Sequence, residues 1–105
     1  MSSIVKITAN NYKEFCNGEK PLVLDFWAEW CGPCKMFSPI FEQVSEKLGD
    51  KFIFGKVNAD DEAELCAQFG IRGIPTLKVI KDGQSVGTKV GMMSASQFED
   101  FLNKI

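Results

Sequence analysis

The stretch Leu22-Val23-Leu24-Asp25-Phe26-Trp27-Ala28 is apolar at every position but one. A strand with one wet face alternates apolar and polar residues, whereas an unbroken apolar run suits a strand covered on both faces. That points to a parallel sheet held between helices. After Glu29 and Trp30 comes Cys31-Gly32-Pro33-Cys34, and then Phe37, Ile40, Phe41, Val44 and Leu48 at helical spacing. Pro33 suits a first helical turn, where a missing N–H costs nothing. Gly49 is placed to end this helix, and Pro39 inside it predicts a kink.

The remaining elements fall into the same alternation. Ile4-Val5-Lys6-Ile7 reads as a short strand. A helix with Tyr12, Phe15 and Cys16 on its apolar side follows, capped by Asn10 or Asn11 and broken by Gly18 and Pro21. Residues 52–57 form the next strand. Asp60 or Asp61 can cap a third helix carrying Leu65, Cys66 and Phe69, which Gly70 ends. Residues 76–80 and 85–90 flank Lys81-Asp82-Gly83-Gln84, a strong hairpin signal. Ser94-Ala95-Ser96-Gln97 is a capping box for a last helix with Phe98, Phe101, Leu102 and Ile105. The order β-α-β-α-β-α-β-β-α implies parallel units with right-handed crossovers, closed by an antiparallel hairpin. The expected class is α/β, one mixed sheet with helices on both faces, in a single domain over residues 1–105.

Composition narrows the functions. Of 105 residues, 45% are hydrophobic and 25% charged, which excludes a disordered chain. Twelve basic and 14 acidic side chains give a net charge of -2, so nucleic acid is not an expected partner. There is no histidine, which removes Ser-His and Cys-His nucleophile pairs and the commonest metal ligand. No apolar stretch approaches the roughly 20 residues of a membrane span, and the N-terminus does not read as a secretory signal. The expected location is the cytoplasm.

Of the four cysteines, only Cys31 and Cys34 form a close pair. In a cytosolic chain, C-x-x-C beside a βαβ pattern suggests redox chemistry. A structural disulfide and half of a zinc site are the alternatives. Zinc wants about four ligands, usually from two knuckles, and this chain offers one knuckle and no histidine. No metal is expected.

Phe26-Trp27-Ala28-Glu29-Trp30-Cys31-Gly32-Pro33-Cys34-Lys35 resembles the active-site segment of the thioredoxin family. The likeness extends to Asp25, Pro39, Lys56, Gly70-Ile71-Arg72-Gly73-Ile74-Pro75-Thr76, Gly83 and Gly91, over essentially the whole chain. It implies a thioredoxin fold, a five-stranded mixed β-sheet flanked by four α-helices. It implies reduction of disulfides in protein substrates, with electrons returned by a thioredoxin reductase that uses NADPH, so that no cofactor is bound. A monomer is expected.

Disulfide exchange needs a thiolate, and Cys31 stands where a strand ends and a helix begins, at the helix's positive end. Cys31 is therefore the expected nucleophile and Cys34, three residues on, the resolving thiol. Gly32 and Pro33 set the redox poise; Pro33 as a plain helix starter is compatible with that. Asp25 could point outward by alternation, but the apolar run argues for burial, where its pKa would rise. The resemblance makes it a general base toward Cys34 with Lys56 as partner; alone, Lys56 reads equally as a solvated strand-end lysine. Residues alone predict a trans bond before Pro75, while the resemblance implies a cis one, with the Ile74 backbone pairing to an extended substrate. Trp30, Ile74, Pro75, Gly91 and Met92 should then form an uncharged substrate rim, although Met92 and Met93 could instead cover the hairpin end. Cys16 and Cys66 read as buried apolar residues on helices, with a regulatory thiol as the alternative. A different class of function, a binding module using the same surface with redox chemistry secondary, is disfavoured by the intact Cys31, Cys34 and Asp25.

Overall fold

The computed structural model describes residues 4–105. Its elements run β1 (Val5–Lys6), α1 (Tyr12–Phe15), β2 (Leu22–Trp27), α2 (Gly32–Leu48), β3 (Ile53–Asn58), α3 (Ala63–Phe69), β4 (Thr76–Lys81), β5 (Gln84–Val90) and α4 (Ala95–Asn103). The sheet order is β1-β3-β2-β4-β5. β1 and β2 each lie parallel to β3, while β4 is antiparallel to both β2 and β5. β2 is thus hydrogen-bonded along both edges and covered on both faces, as its apolar run requires. This is the expected five-stranded mixed sheet with four helices.

The pleat of β2 divides the core. Val23 packs with Phe37, Phe41 and Val44 of α2 and with Phe98 and Leu102 of α4. Leu22, Leu24 and Phe26 point the other way, to Tyr12 and Cys16 and to Leu65 of α3. Asp25 shares the parity of Val23, so an acid stands on the face that α2 covers.

Local signals decide where most elements stop. Asp82 and Gly83 both take positive φ, 53° and 76°, the backbone a two-residue hairpin turn needs. Ser94 and Gln97 exchange both bonds of the capping box. Gly70 ends α3 in the left-handed region at φ 64°. Two expectations are corrected, the cap of α3 and the extent of the first strand. The α3 cap is Glu62, without a side-chain bond; Asn58 Oδ1 instead accepts from the amides of Asp60 and Asp61, folding them into a turn before the helix. Gly49 caps the end of α2 as expected, with an ordinary right-handed φ of -61°. The first strand is only Val5–Lys6, although the Ile7 amide still donates to Lys56 O. Helix α2 continues through Pro39.

Phe98 is the keystone of the α2–α4 face. Its ring stacks on Phe41 at 5.7 Å and lies 5.5 Å from Phe37 and 6.3 Å from Phe54. Phe98→Ala should lower unfolding free energy by about 3–5 kcal/mol, because a ring-sized cavity opens among rigid neighbours. Urea denaturation measures this; a loss under about 1 kcal/mol would mean the cluster collapses freely around the gap.

Candidate active site

β2 ends at Trp27, and a short turn delivers the chain to Cys31, which stands at the N-cap of α2 with extended backbone (φ -90°, ψ 107°). An N-cap side chain ordinarily offers oxygen to a free amide of the first turn. Here the acceptor is sulfur: Cys34 N–H donates to Cys31 Sγ at 3.2 Å. The two cysteines are joined as a disulfide with Cα atoms 5.3 Å apart. Their residual exposures are 4% and 2%, so the pair is held in the protein edge rather than on it. Ala28 completes a small cluster around them, with Trp27 and Ile74 packed against it. Gly32 and Pro33, the first two residues of α2, are exposed.

The loop before β4 closes the other side. The Ile74–Pro75 peptide is cis, and Ile74 O lies 3.7 Å from Cys31 Sγ. Gly91 N–H donates to Pro75 O at 2.8 Å. Gly91 has φ 93°, a region side chains rarely occupy, which explains glycine there. Beside the pair runs a mostly apolar groove of about 320 Å³ lined by Trp30, Ala59, Cys66, Ile71, Arg72, Gly73 and Ile74. Trp30 is 71% exposed, and its indole N–H donates to Asp60 Oδ2 at 3.0 Å and Oδ1 at 3.3 Å. Met92 is exposed but lines a different cleft, with Lys89, Val90 and Phe101, while Met93 is buried in the core.

Asp25 is 1% exposed, and neither of its carboxyl oxygens has a hydrogen-bond partner among the described residues. Burial pushes its pKa from 3.8 up to about 7, against a smaller lowering by the Lys56 charge. Lys56 is its register partner on β3, but the ammonium donates to Ser38 Oγ at 2.6 Å and sits 5.5 Å from the Trp27 ring centre. Asp25 and Lys56 are neighbours, then, without being an ion pair.

The two further cysteines differ from each other. Cys16 is buried at the end of α1, as expected. Cys66 is only half-buried and opens onto the groove, which corrects its reading as a core residue. Its thiol pKa is raised, first by burial and then by Glu62 and Asp60, which keeps it protonated. The sequence marks Asp60 only as a helix cap and Arg72 only as part of the matched segment, and it does not mark Ser38 at all. Each is a common surface residue type, and only the folded arrangement puts them beside Trp30, Lys56 and the groove.

A disulfide capping a long helix, beside a cis-proline and an apolar groove, defines a thiol–disulfide exchange protein. The Thioredoxin family model matches residues 3–104. Thioredoxin of Haemophilus influenzae is 41% identical over 105 residues, covering 99% of this chain and 98% of that protein. Thioredoxin of Buchnera aphidicola is 42% identical over 101 residues, covering 95% and 93%. The crystal structure of Malassezia sympodialis thioredoxin superposes with a TM-score of 0.91 at 38% identity, covering 99% of this chain and 91% of that one. The chain belongs to the thioredoxin family. It is a protein-disulfide reductase with Cys31–Cys34 as its redox-active pair.

The buried acid makes stability fall with pH. Its folded pKa lies above its unfolded one, so between 3.8 and about 7 the native state keeps a proton that the unfolded chain has released. The stability Asp25 contributes is therefore fully present below pH 3.8 and is lost as pH rises through about 7. Relative to Asp25→Ala, the oxidised protein should lose roughly 4 kcal/mol between those limits and then level off. Urea melts across pH test this; a difference independent of pH would mean Asp25 is not buried as an acid.

Proposed function

We propose that the chain is a general reductant of protein disulfides, working as a monomer in the cytoplasm. Cys31 is the nucleophile. Its thiolate attacks one sulfur of a substrate disulfide, forms a mixed disulfide and expels the other substrate sulfur as a thiolate. Cys34 is the resolving thiol. Asp25 takes the Cys34 proton; the Cys34 sulfur then attacks Cys31 Sγ, closes the Cys31–Cys34 disulfide and releases the second substrate thiolate. Two electrons pass from the dithiol to the substrate, and the expelled thiolates take up protons from Asp25 and solvent.

The observation that carries this assignment is the Cys34 amide donating to Cys31 Sγ at 3.2 Å. An N–H aimed at one sulfur of the pair from the positive end of a 17-residue helix favours a negative charge on that sulfur and not on its partner. Trp30, Ile74, Pro75, Gly91 and Met92 receive the substrate. An extended peptide pairs with the Ile74 backbone, whose carbonyl is 3.7 Å from the attacking sulfur. Flexible Met92, exposed beside Gly91, suits varied partners. Gly32 and Pro33 tune the balance between dithiol and disulfide, and Lys56 supplies the positive charge near Asp25. Electrons return from NADPH through a thioredoxin reductase; NADPH itself does not bind this chain.

Cysteine replacement tests the roles. Cys31→Ser should abolish reduction of a model protein disulfide such as insulin's. Cys34→Ser should still attack once and then accumulate as a mixed disulfide, because no second thiol remains to resolve it. Mass spectrometry of the products reads the difference. A trapped adduct on Cys34 in Cys31→Ser, with none on Cys31 in Cys34→Ser, would reverse the assignment.

A further inference from the structure

Lys56 stands beside Asp25 in the β2–β3 register, yet its ammonium is bonded to Ser38 Oγ at 2.6 Å. Both Asp25 oxygens meanwhile lack a partner among the described residues. This choice needs a cause. A partly buried ammonium is attracted far more strongly to a carboxylate than to a neutral hydroxyl. Ser38 provides the competing site. It lies on α2 four residues after Cys34, so the two stand one above the other on one helix face. It is half-buried, as is Lys56, so water competes weakly for their bond. The Trp27 ring, 5.5 Å from Lys56 Nζ, favours the same position of the cation.

We propose that Ser38 is a positioning residue for disulfide exchange, its hydroxyl holding the Lys56 ammonium off Asp25 so that the carboxyl stands without its counter-ion. This rests on the reading of Asp25 as the base. With the ammonium drawn onto the carboxylate, the anion would be favoured and would become a poorer proton acceptor. Few other groups act on Asp25. β4 presents Leu77 in register, which is apolar. On α2, Cys34 and Ser38 share one helix face, and Ser38 reaches Lys56. Lys6 of β1, in register with Lys56, and Glu29 after β2 line the same cleft of about 420 Å³ as Lys56. Both are exposed, where solvent screens them. Lys56 is the charge that matters, and Ser38 decides where it sits.

The test is to titrate the Asp25 carboxyl by carbon NMR in the full-length reduced protein, beside the pH profile of insulin reduction. Ser38→Ala should lower the Asp25 midpoint by about one pH unit or more, the effect of an opposite charge arriving at close range. The rate limb should move with it, and Ser38→Thr should restore both. Alanine is the best helix former, so the variant folds. In a Lys56→Met background, Ser38→Ala should change nothing. An unmoved midpoint in Ser38→Ala, or an equal fall in the Lys56→Met background, would overturn the proposal whatever the kinetics. A midpoint that falls while the rate limb stays put would uphold the hold on Lys56 but overturn Asp25 as the base, and with it the role of Ser38 in exchange.

Discussion

One backbone amide, that of Cys34, points at Cys31 Sγ from 3.2 Å, and the molecule is arranged to keep it there. The amide is free because it belongs to the first turn of α2, where no carbonyl lies upstream to accept it. The sulfur is in place because β2, paired on both edges to β3 and β4, fixes where the chain leaves the sheet. Helix α2 in turn is pinned along its length by Phe37, Phe41 and Val44 against Val23 and Phe98. A helix free to roll would lose the aim of its N-terminus. The core is thus the device that orients the redox pair, and the cis-proline loop and the Trp30 groove are built around the point it fixes.

Asp25 is where the fold gives way to chemistry. Its neighbours along the strand, Leu24 and Phe26, are fully buried, and an apolar residue at position 25 would suit the same surroundings. Removing an unpaired carboxyl from such a site often stabilises a protein. In the proposed mechanism the acid supplies a proton acceptor that changes state near neutral pH. Burial raises the pKa of the acid, and on the proposal above the Lys56–Ser38 bond preserves that shift by keeping the ammonium off the carboxyl.

Much of this was legible in the sequence, for identifiable reasons. The two-sided burial of β2 follows from its missing alternation. The Asp82-Gly83 turn and the Ser94–Gln97 box follow from local stereochemistry that needs no partner elsewhere. Helix α3 starts later than local signals suggest because Asn58, on the preceding strand, accepts from the amides of Asp60 and Asp61 and folds both into a turn ahead of the helix they were expected to cap. Asp60 is used instead by Trp30, thirty positions away in sequence, a contact that only the fold creates. The same holds for Ser38 and Lys56, eighteen positions apart. The cis bond at Pro75 was accessible through the family resemblance and not through the residues, since nothing local separates it from an ordinary X-Pro step. The half-exposure of Cys66 depends on how α3 meets the groove, which helical periodicity alone leaves open.

The central claim is that the helix N-terminus singles out one sulfur of the pair. The direct measurement is a pH titration of thiolate absorbance near 240 nm in the reduced protein, with Cys34→Ser, Cys31→Ser and a Cys16/Cys66 double serine variant to assign the steps. Cys31 should ionise below the ordinary thiol range around 8.5, and Cys34 well above Cys31. A Cys31 that titrates at or above that range, or a Cys34 that ionises first, would contradict the account.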